Sequence, residues 1–313
     1  MEFALFSILN GLVYGLLLFM VSAGLTLVFG MMGIVNFAHA SFYMLGAYVA
    51  YSLTGLVGFW PAIVVAPMVV GAIGVAVERG LLRRVHRYGQ AHELLLTFGL
   101  AYVFEDIVKM LYGNYAVPYS VPNELRFAAF RMFGADYPFY RLFIGMVAAS
   151  MFLLLFLLLR GTRVGVIVRA AVRQPEMTGA LGHSVPVVFM GVFGIGAWLA
   201  GLAGAVGGAF FTTNPNMAQE LGIIVFVVVV VGGLGSLEGA LLSSLLIGLL
   251  TSFAAGADVS LADLGALVGV GETMRAIGGV LVVKLTTVAA SVPILVMLMV
   301  LLLRPSGLMG DRT

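Results

Sequence analysis

The sequence predicts an all-α protein, a polytopic transmembrane helical bundle of about eight to ten spans, some of them interrupted. Three observations predict it. Apolar residues make up 62% of the 313 and charged residues only 10%, where a soluble domain averages about a quarter charged. The apolar residues fall in long runs, each able to span much or all of the roughly 30 Å of hydrocarbon in a bilayer. Arginines collect in particular linkers between the runs and not in others. A soluble protein of this size must cover its surface with polar groups; lipid can face apolar side chains at no cost.

The runs follow in order. Phe3 to Phe29 is the first, and its start, Met1 to Asn10, has no Lys or Arg, so it reads as the beginning of a span and not as a cleaved signal. Ala38 to Val57 is the second, preceded by the glycine-bounded stretch 30–37. Pro61 to Leu82, Glu93 to Leu111, Phe139 to Leu159 and Val187 to Phe211 come next. Leu221 to Val231 is too short to cross alone at 1.5 Å per residue. It meets a glycine cluster at 232–239 and resumes as Ala240 to Phe253, and Thr287 to Leu303 closes the set.

Basic residues orient these runs. Arg79, Arg83, Arg84 and Arg87 follow the third, Arg160, Arg163, Arg169 and Arg173 follow the fifth, and Arg304 and Arg312 lie in the tail. These three regions are expected to be cytoplasmic, which puts the C-terminus inside. The 113–138 stretch offsets Arg126 and Arg131 with Glu124 and Asp136, and the 212–220 loop has no basic residue, so both suit the outer face. The 254–286 insert mixes charges and is expected to form a short amphipathic outer helix. No composition break divides the chain, so residues 1–313 are expected to form a single membrane domain.

Two stretches interrupt the apolar pattern alike. Gly30-Met-Met-Gly-Ile-Val-Asn36-Phe-Ala-His39-Ala-Ser41 and Gly232-Gly-Leu-Gly235-Ser236-Leu-Glu238-Gly239 each set glycines and polar side chains at the edge of a span. Broken helices leave backbone groups that must face protein or a water-filled cavity, as in transporters whose interrupted segments line the solute path. Close small-residue helix packing would use the same glycines. His39, beside Asn36, is either a solute or gating contact or a satisfied structural histidine. Glu105 and Lys109 stand in the favourable i, i+4 order and neutralise each other. Asn214 and Asn216 either border an outer vestibule or form an ordinary turn.

Several chemistries are excluded. There is no cysteine, so disulfides and thiolate metal sites are absent. His92-Glu93 is followed by Leu96 where a zinc-protease motif needs histidine. No Gly-x-Ser-x-Gly elbow or phosphate-binding P-loop occurs, so no enzyme is expected and any ATP must be bound elsewhere. The net charge of +2 gives no reason to expect nucleic acid.

The 160–186 linker is long and organised. Arg169 and Arg173 share one face of a short helix, Pro175-Glu176 suits a helix start, and Gly182 suits a stop. Such a segment suits docking of a partner, although a basic loop obeying the positive-inside rule would look similar.

Taken together, these features resemble the membrane permeases of branched-chain amino acid (Liv-type) ABC importers. The resemblance rests on Gly24-Leu-Thr-Leu-Val-Phe-Gly30 with Gly33-Ile-Val-Asn36-Phe-Ala-His39 and Phe42-Tyr-Met-Leu-Gly46-Ala-Tyr48. It continues through Arg169-Ala with Pro175-Glu176, Ala180 and Gly182, Gly201-Leu-Ala-Gly204, Asn214-Pro215, Gly232-Gly-Leu-Gly235-Ser236 and Arg304-Pro-Ser-Gly-Leu-Met-Gly310. It implies a multi-pass protein of the bacterial cytoplasmic (inner) membrane. The implied partners are a second related permease, two cytoplasmic ATPase subunits that hold the ATP, an external solute-binding protein, and lipid. It implies ATPase coupling by Arg169, Arg173, Glu176 and Gly182, and a translocation path past Asn36, His39, Phe42, Gly232, Gly233, Gly235 and Ser236. No cofactor is implied in this chain. Branched-chain or other hydrophobic amino acids are the implied solutes. Urea, short amides or aromatic acids, moved by similar permeases, are the alternative, and a secondary transporter or channel working without ATP is a further one. Ala40 stands where the family usually has glycine, and the 254–286 insert is longer than the pattern leads one to expect. No carboxylate or arginine is evidently placed to hold either end of an amino acid, so affinity is expected to reside in the external binding protein.

Overall fold

The computed structural model describes residues 2–33, 35–132, 134–266 and 269–310, with the backbone alone at Met132, Val172, Arg173, Leu261 and Leu264. The chain runs α1 (Glu2–Met32), α2 (His39–Val57), α3 (Phe59–Val77), α4 (Arg83–Val85), α5 (Gln90–Tyr112), β1 (Ala128–Met132), β2 (Ala135–Pro138) and α6 (Phe139–Gly161). It continues through α7 (Arg163–Arg173), α8 (Pro175–Ala180), α9 (Val185–Gly207), α10 (Met217–Gly232), α11 (Leu237–Gly256), α12 (Leu261–Ala266), α13 (Gly271–Ile277), α14 (Leu285–Val288) and α15 (Val292–Leu303). Seven of the helical stretches are long and apolar enough to cross a membrane. Two more complete the bundle: α5, whose apolar run is diluted by Glu93, Glu105, Asp106 and Lys109, and the short α10.

Helices in lipid gain little from the hydrophobic effect on meeting each other, so they rely on close packing through small residues. Here α1 and α11 lie against each other through Gly11, Gly15 and Gly248. A methyl on Gly15 would come within 2.7 Å of the Ser244 carbonyl oxygen, and one on Gly248 within 2.5 Å of that of Gly11. The glycine-rich α9 is the central helix, and it packs on α1, α2 and α3. A methyl on Gly24 would sit 2.5 Å from the Gly196 oxygen, and one on Gly204 would run into the Tyr43 carbonyl. Large side chains such as Phe19, Phe42, Tyr48 and Phe193 fill the space between these close seams and are fully buried.

The arginine-rich linkers gather at one end of the bundle. Arg83 donates to the Pro186 carbonyl at 2.8 Å, and Arg160 pairs with Glu238 at 2.8 Å. The tail closes this end: the Leu308 and Met309 N–H groups donate to the Val231 and Gly232 carbonyls at 2.8 and 3.0 Å. At the opposite end a small antiparallel hairpin, β1 with β2, is the one addition to the all-α expectation among the described residues. Among its described residues the 254–286 insert there holds the short helices α12 and α13, a 3₁₀ turn at Gly279–Val282 and the start of α14, where a single amphipathic helix was expected. Arg275 ties α13 to α12 through Asp263 at 2.6 Å, and Lys284 pairs with Asp258 at 2.7 Å across the flanking segments. The Ser260 hydroxyl and N–H, with Arg275, hold the Asp263 carboxyl well below the usual carboxylate range.

Candidate functional site

The first interrupted stretch is a re-entrant turn. Gly33, with φ of +65°, stops α1, and helix resumes only at His39. His39 sits beside the middle of α1: its Nε2 donates to the Val21 carbonyl at 3.0 Å, and its ring packs on Gly24. Val21 lies about 16 Å from the end of α1 at 1.5 Å per residue. Residues 35–38 therefore lead back into the bundle in non-helical form, along α5. Gln90 Nε2 donates to the Gly33 carbonyl at 3.4 Å, and the Phe37 N–H donates to Thr97 Oγ1 at 3.3 Å.

Of the residues expected on the path, Asn36, His39 and Phe42 are all buried. Asn36 Oδ1 accepts from the Ala38 N–H at 3.0 Å, which turns the chain into α2. Phe42 meets the His39, Phe104 and Phe193 rings at 6.3, 5.7 and 5.9 Å. Asn36 Nδ2 and His39 Nδ1 are buried without a protein partner. What these residues hold out to the surface is Phe37, which is 48% exposed.

Phe37 forms one wall of a 330 Å³ groove between the start of α2, α5 and α10. Phe98 stands edge-on to it at 6.2 Å and Phe226 stacks with it at 6.4 Å. Ser41, Glu105 and Gln219 supply the polar lining. The Glu105 carboxylate is buried, accepts from Lys109 Nζ through one oxygen, and accepts from Gln219 Nε2 at 2.5 Å through the other. The expected i, i+4 pair thus forms, and a residue of another helix joins it. The groove sets apolar aromatic walls beside hydrogen-bonding groups, on a face that bare lipid would penalise. It also places a carboxylate where none was evident from the sequence.

The second interrupted stretch lies at the arginine-rich end, in a cavity that shares no lining residue with the groove. Gly232 is pressed against the start of α11, where a methyl would lie 2.5 Å from the Gly239 carbonyl carbon. Gly233, at φ of +99°, would place one 2.7 Å from Gly310 Cα in the tail. Gly235 abuts Gly30, so the two interruptions touch back to back. Ser236 Oγ caps α11 by accepting from the Gly239 N–H at 3.0 Å, which leaves Glu238 free for Arg160. Gly235, Ser236, Glu238, Arg160 and Arg169 line one 430 Å³ cavity with Gly30.

The 160–186 linker folds as two helices. Thr162 Oγ1 caps α7 by accepting from the Gly165 N–H at 3.1 Å. Pro175 starts α8, and Gly182 at φ of +88° follows it. Arg169, Glu176 and Gly182 are exposed, as are the apolar Met177 and Leu181; the Arg173 side chain lies outside the described residues. At the other end, Asn214 Oδ1 accepts from the Asn216 N–H at 2.8 Å in a turn. Asn214 also borders a 330 Å³ cavity with Tyr14, Tyr43 and Glu220, of which Asn216 is not part. No cluster of metal-ligating side chains occurs among the described residues.

Sequence reasoning missed Phe37, Ser41, Phe98, Gln219 and Phe226. Phe37 lay within the stretch that was singled out, and Glu105 within an apolar run; Gln219, at the start of α10, carried no signal of its own.

Comparisons with known proteins identify relatives of this chain. Residues 7–301 match the family model for the permease component of branched-chain amino acid transport systems. The high-affinity branched-chain amino acid transport system permease protein BraD of Pseudomonas aeruginosa is 29% identical over 265 residues, 80% of this chain and 86% of that protein. The corresponding LivH protein of Escherichia coli is 29% identical over 257 residues, 77% of this chain and 82% of its own. Among solved structures, PsaBC from Streptococcus pneumoniae in complex with Fab matches 95% of this chain and 91% of that one, at 13% identity and a TM-score of 0.46. The chain belongs to the family of permease components of branched-chain amino acid transport systems.

Proposed function

We propose that this chain is the membrane permease of an ATP-driven importer that passes branched-chain or other hydrophobic amino acids into the bacterial cytoplasm. The observation that carries the reading is the non-helical stretch at residues 35–38 at membrane depth, opening through Phe37 onto a groove with polar lining. Irregular backbone at that depth is tolerated only beside protein or a water-filled cavity. A second, related permease covers the groove and completes the conduit. Phe37, Phe98 and Phe226 suit an apolar side chain, and Ser41, Glu105 and Gln219 suit its polar end. Asn36, His39 and Phe42 act from behind, by fixing where Phe37 stands. The names of the relatives, all high-affinity branched-chain permeases in the bacteria compared, support the solute class.

The arginine-rich end faces the cytoplasm by the positive-inside rule, which puts the tail inside and the protein in the inner membrane. There α7 and α8 present Arg169, Glu176 and Gly182 beside exposed Met177 and Leu181, a seat of mixed polarity for one of two ATPase subunits. Through a cavity of its own, separate from the groove, Arg169 meets Gly235 and Ser236, a link from that seat to the second interrupted stretch. Gly232 and Gly233 hold the link together with the tail. A solute-binding protein delivers at the opposite end, near Asn214 and Asn216.

The test is uptake by proteoliposomes containing this chain with its partner permease and ATPases. Arg169→Glu or Glu176→Arg is expected to lower uptake by about tenfold, equivalent to about 1.4 kcal/mol of coupling, while ATP hydrolysis continues and the chain stays folded. Unchanged uptake in both variants overturns the docking assignment. Full uptake by this chain without ATPases overturns the importer itself.

A further inference from the structure

At the end of the bundle away from the arginine-rich linkers, α1, α6 and α11 border a 460 Å³ cavity. Phe3, Phe6, Tyr14 and Phe210 make its walls largely aromatic. One charged side chain enters it, that of Arg141 in the first turn of α6. One terminal nitrogen of Arg141 donates to Asn10 Oδ1, and the guanidinium lies 5.2 Å from the Phe210 ring centre and 5.6 Å from that of Tyr137. Its Nε is buried without a partner, as is Oγ1 of Thr251, which borders the same cavity from α11.

Among the described residues none that lines the cavity is acidic. Arg83, Arg131, Arg160 and Arg275 each meet a carboxylate, while Arg141 meets none among the described residues. A guanidinium in apolar surroundings is costly unless its charge is answered, and its planar fork matches a carboxylate or phosphate better than any other group. Position adds to this. Arg141 stands within one turn of the start of a membrane-crossing helix, where lipid headgroups meet the apolar core. Aromatic walls then suit whatever apolar portion the anion carries.

We propose that this cavity binds an oxyanion attached to an apolar group, held by Arg141 with help from Thr251 and Asn10. Two sources offer that chemistry: the phosphodiester of an acidic phospholipid, and the carboxylate of an apolar amino acid. The site is separate from the groove beside Phe37 and does not depend on that groove's role.

The full-length chain, purified in a neutral detergent, tests the proposal by native mass spectrometry and thermal unfolding. Phosphatidylglycerol is compared with diacylglycerol, which lacks the phosphodiester, and N-acetylleucine with N-acetylleucinamide, which lacks the carboxylate. At least one anion is expected to bind about fivefold or more tighter than its neutral counterpart, in line with a charge-assisted bond, and which pair responds identifies the source. Arg141→Gln is expected to abolish the preference and Arg141→Lys to keep part of it. Arg126→Gln, on an exposed loop, is expected to leave it intact. Should Arg141→Gln not fold, Thr251→Val replaces it, with an expected loss of about threefold. No preference in the native chain for either anion, or a preference that survives in Arg141→Gln or, in its stead, Thr251→Val, overturns the proposal.

Discussion

Glu105 shows how much one side chain in a membrane depends on its neighbours. A carboxylate in an apolar run needs a cation or several donors, and this one has Lys109 one turn away and Gln219 across the groove. Replacing it by glutamine keeps the shape and one acceptor but takes from Lys109 its hydrogen-bonded carboxylate, leaving only the charge of Asp106 nearby. Glu105→Gln is therefore expected to fold with a lower unfolding temperature and to transport about tenfold more slowly, by about 1.4 kcal/mol at the barrier. Lys109→Met with Glu105→Gln should recover the stability and not the transport. Uptake assays beside thermal unfolding read the two apart, and normal uptake in Glu105→Gln would remove this residue from the conduit. The partnership with Gln219 was not legible in the sequence, because 114 positions separate the two and nothing local reports a contact across that gap. The pair with Lys109 was legible, because helical spacing alone makes it.

At the scale of the helix, the glycines of α9 carry the packing. Gly204 lies against the Tyr43 carbonyl of α2 and Gly201 against Val70 of α3, so at these two positions the helix has no room for a branched side chain. Gly204→Val is expected to destabilise the bundle by about 1–3 kcal/mol through overpacking, whereas Gly191→Val, which meets open space on the same helix, should cost much less. Thermal unfolding of both variants in one detergent checks this, and equal losses would show that helix propensity and not contact is responsible. The same reasoning divides the two interruptions. Both read alike in sequence, as glycines with polar neighbours. One proves to be a re-entrant turn that presents Phe37 to a groove, and the other a tight join of α10, α11 and the tail. Small-residue packing and a turn beside a groove are different uses of similar glycine-rich stretches, and only the neighbours distinguish them.

Across the whole molecule, the exposed faces of α5 and α10 around the groove pose a single question: what covers them. Phe98, Tyr102 and Ile223 are at least 48% exposed beside Glu105 and Gln219. A partner permease laid over this face would shield the polar groups and leave a conduit between the chains. The absence of cysteine makes the check direct. Single substitutions Tyr102→Cys and Ile223→Cys are expected to cross-link to cysteines in the partner permease. Leu153→Cys and Leu157→Cys, on the exposed face of α6, are expected to stay single. Cross-linking from α6 and none from α5 or α10 would move the conduit elsewhere.

Composition and spacing alone determined that this chain crosses a membrane many times, where most of the crossings fall, which linkers carry the arginines, and that no phosphate-binding P-loop motif occurs. Those are properties of runs along the chain, and the bilayer enforces them segment by segment. Tertiary structure decided what the polar residues do. Asn36, His39 and Phe42 turned inward to set the position of Phe37, Glu105 gained a partner from another helix, and Arg141 came to face a cavity without an acid. Such outcomes depend on which helices lie side by side, and a closely packed bundle settles that through contacts between distant parts of the chain.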